Sequence, residues 1–398
     1  MRALRPAAIG SLQLKNCIVR AATSESLALE TGEVTPELIA FHRALAEGGV
    51  GLSILGHAYV HHRGKSLAHQ TGIHDDALVP GLKSLTTAVH DSGGVIFAQL
   101  AHAGSQSGVA PVPLAPSAVP NALTGRVPPA ATLDEIHEAI QAFGDAARRA
   151  MEAGFDGVHI HAANGYLISE FSSPHANHRA DEWGGSAEKR THFLAAVYDA
   201  VRRETGPNVP VTVKLGMEDE VTNGLGLVES AAIVKALADR GIDGVEVSVG
   251  LMSAGSDSCR KYVAVDRQRA LADHLYHRVF SSAAAEAYFE PFAQAAKSAA
   301  PDITIMLVGG MRTTETIERV LAQGSCDLVC LARPLIREPD LVSQLVAGRR
   351  GRLDCTSCNM CLDNEGDHAL QCWRTPRRRL IEGAVAYIRR RVSGSHGH

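Results

Sequence analysis

Short apolar segments alternate with longer amphipathic or alanine-rich segments along most of the chain. Eight of the apolar segments are rich in leucine and β-branched residues, lack polar alternation, and end at glycine or a polar residue. This pattern is typical of strands that are buried on both faces. It predicts strands at residues 17–23, 50–56, 95–100, 157–161, 211–215, 244–248, 303–308 and 327–331.

Helical segments are predicted between these strands. Thr35 precedes Pro36, a capping residue followed by proline at the first helical position, and Gly154 and Gly241 follow two segments as C-terminal glycines. Strands that alternate with helices predict an α/β fold, a (β/α)₈ TIM barrel, with a doubly wound open sheet as the alternative. The predicted helices cover residues 35–47, 78–91, 132–153, 186–205, 228–240 and 313–322.

Two segments do not fit the strand–helix repeat. Residues 103–131 are rich in Pro, Ala and Ser and follow the third strand, and residues 251–280 are polar and follow the sixth. Loops of this length in a compact domain are usually binding loops or lids. Because both follow the C-terminal end of a strand, we expect them on the catalytic face of the barrel.

Composition excludes several classes of protein. The chain has 398 residues, of which 45% are hydrophobic and 21% charged, and these ordinary globular values exclude collagen, coiled coil and wholesale disorder. A net charge of −4 gives no reason to expect nucleic acid as a partner. We expect no membrane span and no secretory signal, and therefore a cytoplasmic protein with reduced thiols.

Seven arginines between residues 374 and 398 form either a solvated tail or a docking segment for an acidic surface.

The ends of the last two predicted strands carry features of an anion site. Gly309 and Gly310 lie between an apolar strand and the start of a helix, and Ala332 and Arg333 occupy the corresponding place after the eighth strand. Barrels often build a phosphate site from these two loops, where small residues expose backbone N–H groups and arginine donates from its guanidinium. The pattern therefore indicates a phosphorylated ligand, with a tight turn at the glycines as the alternative.

Polar side chains also follow the fourth predicted strand. His161 shares one strand face with His159, and Asn164 and Tyr166 come directly after. Histidine and asparagine N–H groups can donate to one oxygen that gains negative charge, and tyrosine, protonated at neutral pH, can give a proton to a carbanion. The alternative is a buried structural histidine with a tyrosine packed beneath a loop. Gln99 and Lys214 lie at the ends of the third and fifth strands, where they could bind a ring edge and stabilise negative charge.

These residues resemble those of the old yellow enzyme family, in particular the branch that contains 2,4-dienoyl-CoA reductase and trimethylamine dehydrogenase. The resemblance spans residues 5–345. It is carried by the segments KNCIVRAATSE, FAQLAHAG, DGVHIHAANGYLISEFSSPHANHRADEWGGSAEKR, VTVKLGMED, VGGMRTTE and LARPLIREPDL.

The resemblance implies an FMN that lies across the top of the barrel. The backbone at Ala22 and Thr23 and the loop at Gly56 would approach the flavin ring, with Gln99 at its pyrimidine edge and Lys214 beside N1 and O2. His161 and Asn164 would bind the substrate oxygen, and Tyr166 would be the proton donor. The phosphate would be held by Gly309, Gly310, Ala332 and Arg333.

The chain departs from the usual family pattern at three places. Ala22 and Thr23 stand where many members have Pro-Met, His159 replaces the usual glutamate, and Cys17 replaces the usual arginine.

A cysteine motif follows the predicted barrel. Cys355, Cys358 and Cys361 form C-x₂-C-x₂-C, and Cys372 follows after ten residues. Closely spaced thiolates with a more distant fourth often hold a [4Fe–4S] cluster, as in the branch named above, whereas zinc more often uses two separated pairs. A zinc site and an empty remnant are the alternatives.

We expect a barrel at residues 1–345 and an extension at residues 346–398. Cys17, Cys259, Cys326 and Cys330 are predicted to be buried or loop residues.

The sequence thus predicts an FMN-dependent oxidoreductase that reduces the C=C bond of an α,β-unsaturated carbonyl compound. No GxGxxG motif follows Cys372, so we expect NAD(P)H to reduce the flavin at the barrel mouth or a separate reductase or electron-transfer protein to supply electrons. One alternative is oxidative demethylation of an N-methylated amine, with electrons leaving through the cluster. This reaction needs a cation-binding aromatic pocket, which the sequence disfavours because aromatic residues make up 5% of the chain and Trp183 is one of two tryptophans. Others are a non-catalytic electron-transfer subunit and a flavin-free aldolase-like barrel. A second copy of the chain is a further candidate partner.

Overall fold

Eight parallel strands close into a barrel, which confirms the predicted fold class. The computed structural model describes residues 1–254, 256–258, 286–357, 361 and 369–372. The strands in these ranges are β1 (Ala7–Ile9), β2 (Leu12–Leu14), β3 (Ile18–Arg20), β4 (Leu52–Ile54), β5 (Ala58–Tyr59), β6 (Ile96–Ala101), β7 (Gly157–Ala162), β8 (Val211–Gly216), β9 (Gly244–Ser248), β10 (Thr304–Val308) and β11 (Leu328–Leu331). The barrel order is β4-β3-β11-β10-β9-β8-β7-β6, and pairing of β4 with β6 closes it.

The barrel strands all lie within the predicted segments or within one residue of them. Every residue of β6, β7, β8 and β9 is buried, which explains the continuous apolar pattern. The antiparallel hairpin of β1 and β2 and the two-residue strand β5 were not predicted. These strands are two or three residues long, too short for a periodic pattern to develop.

The helices of the described residues alternate with the barrel strands. Thr35 caps the first, its hydroxyl accepting from the Leu38 amide at 3.3 Å, and Thr132 and Glu135 form a capping box on the third. The segment predicted as one helix at 186–205 is interrupted at Thr191. The helices are α1 (Pro36–Glu47), α2 (Val79–Asp91), α3 (Leu133–Glu152), α4 (Leu167–Ser172), α5 (Ala187–Arg190), α6 (His192–Thr205), α7 (Leu227–Asp239), α8 (Glu290–Ala299), α9 (Thr314–Ala322), α10 (Arg333–Arg337) and α11 (Leu341–Val346).

Each long helix buries one face against the barrel or a neighbouring helix. In α3 the buried side chains include Ile136, Ala139, Phe143 and Ala147, a spacing of three and four residues that forms one apolar stripe. This helix packs against α6. None of the helices in the described ranges is both long and apolar enough to span a bilayer.

The loop predicted at residues 103–131 is irregular apart from one short 3₁₀ turn, Gly104–Gln106. The Arg126 guanidinium donates to the carbonyl oxygens of Ser107, at 3.2 Å, and Ala110, at 3.0 Å, and so joins two parts of the loop. The amide of Ser105 donates to Glu170 of α4 at 3.2 Å, so the loop is also attached to the segment after β7. Of the second predicted loop, residues 255 and 259–280 lie outside the described part of the chain, as does Cys259.

We expect Glu170 to make stability depend on pH. Burial raises the pKa of Glu170 from 4.5 to about 8, so between these values the folded chain holds a proton that the unfolded chain has lost. The contribution of protonated Glu170 to the free energy of unfolding is therefore complete below pH 4.5 and is lost as the pH rises through about 8. In Glu170→Gln the free energy of unfolding should fall less steeply with rising pH than in the wild type. Urea denaturation at several pH values across this range measures the slope. The exposed Glu188→Gln should keep the wild-type slope, and an unchanged slope in Glu170→Gln would contradict the prediction.

Candidate active site

A cleft lies at the C-terminal ends of the barrel strands, where most of the predicted site residues meet. The loops after β3, β7, β10 and β11 contribute to its lining, together with side chains from β6 and β8. Residues that are far apart in sequence therefore face one space, as the barrel topology requires. The predicted residues that line this cleft are Ala22, Thr23, Gln99, His161, Asn164, Tyr166, Lys214, Gly309, Gly310, Ala332 and Arg333.

Gly56 is the predicted flavin contact that does not line the cleft. Its Cα packs so closely on the β3–α1 segment that a Cβ would lie 2.4 Å from the Thr23 carbonyl oxygen and 2.8 Å from a carboxylate oxygen of Glu25. The glycine thus lets the two loops approach each other. The next residue, His57, lines the cleft and was not predicted as a site residue.

His161, Asn164 and Tyr166 form one polar group in the cleft. The rings of His161 and Tyr166 have centroids 4.8 Å apart. Burial, with Lys214 nearby, holds the pKa of His161 well below its ordinary value, so the imidazole is neutral at pH 7. Its buried Nδ1 has no hydrogen-bond partner. A neutral imidazole can donate one N–H to a ligand oxygen without introducing a cation.

The backbone at Asn164 is held in a conformation that few residues adopt. Its φ of 58° lies in the left-handed region, where asparagine is one of the better-tolerated residues. The Gln106 amide stabilises this turn by donating to the carbonyl oxygens of Asn164, at 2.8 Å, and Gly165, at 2.7 Å. The Ser248 hydroxyl donates to Oδ1 of Asn164 at 3.5 Å, so the Nδ2 donors point to the other side of the amide.

Tyr166 contacts a histidine that sequence reasoning missed. Its hydroxyl lies 3.3 Å from Nε2 of His57, and the two rings meet edge to face with centroids 5.6 Å apart. His57 is buried, and burial lowers its pKa to about 4. The segment 55–59 carries no motif that would have marked His57, because it is an isolated histidine after a strand.

Lys214 is held by a carboxylate inside the barrel. Its Nζ donates to Oε1 of Glu246 at 2.8 Å, and Nε2 of His159 lies 3.2 Å from Oε2 of the same side chain. Burial alone would raise the pKa of Glu246, but the charge of Lys214 and the contact with His159 lower it to about 2. The other ring nitrogen of His159 is 2.7 Å from the Thr212 hydroxyl. The cation that lines the cleft is therefore paired with a buried anion beneath it.

A second buried ionic cluster supports the backbone at Ala22 and Thr23. Arg20 donates to Glu25 at 3.0 Å and to the Thr23 hydroxyl at 2.7 Å, and His42 lies 3.1 Å from the same carboxylate. Burial alone would raise the pKa of Glu25, but His42 and Arg20 hold it below its ordinary value. The segment that lines one side of the cleft is thus fixed by charge pairing as well as by packing.

The loops after β10 and β11 have the features of an anion site. Gly309 and Gly310 have φ values of +133° and +69°, which favour glycine, and a Cβ on Gly309 would lie 3.1 Å from the Tyr288 ring. Arg333 is the first residue of α10, and Ala332 precedes it. Both glycines and both of these residues line the cleft.

The residues of the cleft fit FMN. Nε2 of Gln99 is buried and has no hydrogen-bond partner, although the side chain lines the cleft, so a ring carbonyl there would satisfy it. Lys214 supplies a cation in the same cleft, and the glycines and Arg333, which follow β10 and β11, could donate to a phosphate. The donor set therefore matches a flat ring that has hydrogen-bonding edges and a phosphate tail.

The cysteine motif lies partly outside the described residues. Cys355 is buried, Cys361 and Cys372 are half-buried, and Cys358 is not among the residues that the structure describes. Within the described ranges, no group of three or more His, Cys, Asp or Glu side chains is arranged to hold a metal. Ser357 nevertheless lines the cleft, and the Leu370 amide donates to the Glu25 carbonyl oxygen at 2.8 Å, so these two residues lie close to the barrel mouth. Cys17, Cys326 and Cys330 are buried, as predicted.

Comparison with known proteins agrees with this geometry. A family model described as the NADH:flavin oxidoreductase / NADH oxidase family matches residues 4–351. The chain is 34% identical to 4,4'-dithiodibutanoate disulfide reductase from Rhodococcus erythropolis, over 90% of this chain and 91% of the relative. It is 33% identical to NADH oxidase from Thermoanaerobacter brockii, over 88% of this chain and 52% of the relative. The chain thus spans about half the length of the NADH oxidase.

Solved structures show the same similarity. The 2-naphthoyl-CoA reductase complex superposes with a TM-score of 0.83 at 27% identity, over 95% of this chain and 57% of the other. The old yellow enzyme homologue from Zymomonas mobilis gives 0.71 at 29% identity, over 92% and 98%. The protein therefore belongs to the NADH:flavin oxidoreductase / NADH oxidase family, as the resemblance to the old yellow enzymes predicted.

Proposed function

We propose that the protein is an FMN-dependent, NAD(P)H-driven oxidoreductase that reduces the C=C bond of an α,β-unsaturated carbonyl compound. The observation that carries this proposal is that His161, Asn164 and Tyr166 line the same cleft as the residues that fit FMN. Two oxygen-binding donors and one proton donor beside a flavin site are what this reaction requires. Family membership supports the cofactor and the class of enzyme.

The proposed FMN site uses residues from both ends of the cleft. Gln99 and Lys214 would hold the ring edge, backbone at Ala22 and Thr23 would lie beside the ring, and Gly309, Gly310, Ala332 and Arg333 would hold the phosphate. When bound and reduced by NAD(P)H, FMN would supply hydride from its N5. Names of relatives include both NADH oxidase and NADPH dehydrogenase, so the proposal includes both NADH and NADPH as reductants.

The chain's own residues would polarise the substrate. His161 and the Nδ2 of Asn164 would donate to the carbonyl oxygen, which becomes more negative as hydride reaches the β-carbon. Tyr166 would then give its phenolic proton to the α-carbon. One hydride and one proton convert the C=C bond into a C–C single bond, so the product is the saturated carbonyl compound.

Reduction of an organic disulfide is a second candidate reaction. The relative that supports it, a disulfide reductase, matches this chain over 91% of its own length. Cleavage of a disulfide takes up two electrons and two protons and releases two thiols. Tyr166 could protonate a departing thiolate in the same cleft, so this reaction would use the same proton donor.

The amine and electron-transfer alternatives have weaker support. Trp183 is buried, with its ring 6.4 Å from that of Phe193, and does not line the cleft, so it does not build an aromatic cage there. A subunit that only transfers electrons would have no use for a proton donor at the flavin site, whereas Tyr166 lines that cleft.

The cysteine motif is proposed to hold a [4Fe–4S] cluster through Cys355, Cys358, Cys361 and Cys372. Its C-x₂-C-x₂-C spacing and the contact of Ser357 with the cleft support this assignment. A cluster at this place would be close to the flavin site, where a separate reductase or electron-transfer protein could use it. The domain division into a barrel at 1–345 and an extension at 346–398 belongs to the same proposal.

Purified protein should be yellow and should release about one FMN per chain on denaturation. Gln99→Ala should weaken FMN binding by about 5-fold to 10-fold, because about one hydrogen bond is lost. Fluorescence titration of the deflavinated protein with FMN measures this change. The exposed Gln141→Ala is the control and should bind FMN like the wild type. Equal affinity in Gln99→Ala would contradict the assigned ring contact.

Tyr166→Phe should slow oxidation of the reduced flavin by 2-cyclohexenone by about 100-fold or more, because general-acid catalysis is lost. Reduction of the flavin by NAD(P)H needs no such proton and should be much less affected. Anaerobic stopped-flow absorbance separates the two half-reactions. Tyr198→Phe, whose hydroxyl donates to the Arg240 carbonyl oxygen at 3.1 Å outside the cleft, is the control. Equal slowing of both half-reactions would exclude Tyr166 as the proton donor.

Protein prepared anaerobically should contain about four iron atoms per chain and absorb broadly near ~400 nm. Cys358→Ser should lose iron, whereas Cys259→Ser, outside the motif, should retain it. Iron assay and absorbance spectra measure both results. Stoichiometric zinc in place of iron would reject the cluster.

A further inference from the structure

We infer that His57 is a positioning residue for Tyr166: its Nε2–H donates to the phenol oxygen and directs the phenol hydrogen away from His57, toward the cleft. The inference rests on the proposed role of Tyr166 as proton donor. It follows from a chain of buried hydrogen bonds whose directions can be assigned one after another.

The side-chain amide of Gln70 has one orientation that suits both of its neighbours. Its Nε2 lies 2.8 Å from the carbonyl oxygen of His57, which can only accept. The backbone amide of Ser66, which can only donate, lies 2.6 Å from Oε1 of Gln70. These two contacts fix the orientation of the Gln70 amide, since a flipped amide would place donor against donor and acceptor against acceptor.

The orientation of Gln70 then fixes the Ser66 hydroxyl. Ser66 Oγ lies 3.0 Å from Oε1 of Gln70, so its single hydrogen is donated to that acceptor. The same Oγ is 3.2 Å from Nε2 of His57. Because its hydrogen is already used, Ser66 can only accept there, and Nε2 of His57 must carry a hydrogen. All three side chains are at least nine-tenths buried, so bulk water does not compete for these contacts.

The protonated Nε2 of His57 decides how Tyr166 is presented. The phenol oxygen lies 3.3 Å from this nitrogen and therefore accepts from it, sharing the N–H with Ser66. The phenol hydrogen is then directed away from His57. Tyr166 lines the cleft, and we place its hydrogen on the cleft side, where the substrate carbon would lie. Once it has left, the N–H of His57 stabilises the phenolate oxygen.

The neutral state of His57 is consistent with this arrangement. Burial keeps its pKa near 4, so at pH 7 the ring carries one hydrogen, and Ser66 places it on Nε2. A charged imidazolium would add a second cation beside Lys214. A neutral ring in the other tautomer would accept from Tyr166 and hold back the proton that the reaction needs.

His57→Phe removes the donor and keeps an aromatic ring of similar shape. The test compares two rate constants for reoxidation of the reduced flavin, one with 2-cyclohexenone and one with ferricyanide. In His57→Phe we expect the ratio of the first to the second to fall by about 10-fold to 100-fold, the range that one hydrogen bond to a charged oxygen supplies. Ferricyanide accepts electrons without a proton on carbon, so the ratio isolates the proton-transfer step. His57→Gln, whose amide can donate from nearly the same place, should restore most of the ratio. His69→Phe, half-buried and outside the cleft lining, is the control.

The outcomes separate this inference from the proposed function. If Tyr166→Phe lowers the ratio and His57→Phe does not, the positioning role is overturned and the proton donor stands. If Tyr166→Phe leaves the ratio unchanged, the proposed function fails. If His57→Phe slows both acceptors equally, His57 acts only in packing, and the inference is overturned.

A measurement on the wild-type holoenzyme tests the hydrogen-bond direction independently of any variant's folding. Labelling with ¹⁵N-histidine and assigning His57 by its loss in His57→Gln gives the chemical shifts of its two ring nitrogens. Protonated Nε2 and unprotonated Nδ1 at neutral pH are expected. The opposite tautomer would overturn the inference.

Discussion

The buried carboxylate of Glu246 is the constraint around which the cleft is organised. An anion inside a barrel is costly unless it is paired, and here Lys214 and His159 approach its two oxygens. Because the carboxylate is fully buried and held in β9, the pairing also fixes the Lys214 side chain, which lines the cleft. Loss of either charged partner would leave the other buried and uncompensated. The same interaction therefore neutralises a buried charge and positions a cation that lines the cleft.

The Arg20–Glu25–His42 cluster contains a second buried carboxylate that is paired with basic side chains. Arg20 is fully buried in β3, so its charge requires the carboxylate of Glu25 from the following loop. This pairing holds the segment between them, including Ala22 and Thr23, against the barrel. Gly56 allows the next loop to pack on that segment, and His57 is thereby carried to the cleft. Buried charge pairs thus set the backbone positions at which a flavin ring would be held.

Sequence patterns could predict the barrel because every residue of its central strands is buried, which leaves a continuous apolar signal. They could also predict the residues at strand ends, since parallel topology brings those ends together. They could not predict partners created by the tertiary fold. Glu246 is a single carboxylate between valines and gives no sign that it pairs with Lys214 or faces His159. His57 also gives no sign of its role in the sequence. That role depends on contacts with Ser66 and Gln70, which the following loop brings next to it.

The charge state of the cleft narrows the chemistry that it can support. Burial keeps both His161 and His57 neutral, so they contribute N–H donors and do not compete with Tyr166 as acids. Lys214 carries positive charge, but Glu246 balances it from below, and the local field is therefore that of an oriented pair. Such a site stabilises negative charge that develops on a ligand during reaction, because the stabilising dipoles are fixed in advance. A neutral carbonyl or disulfide that becomes anionic as it accepts electrons matches this arrangement better than a cationic amine.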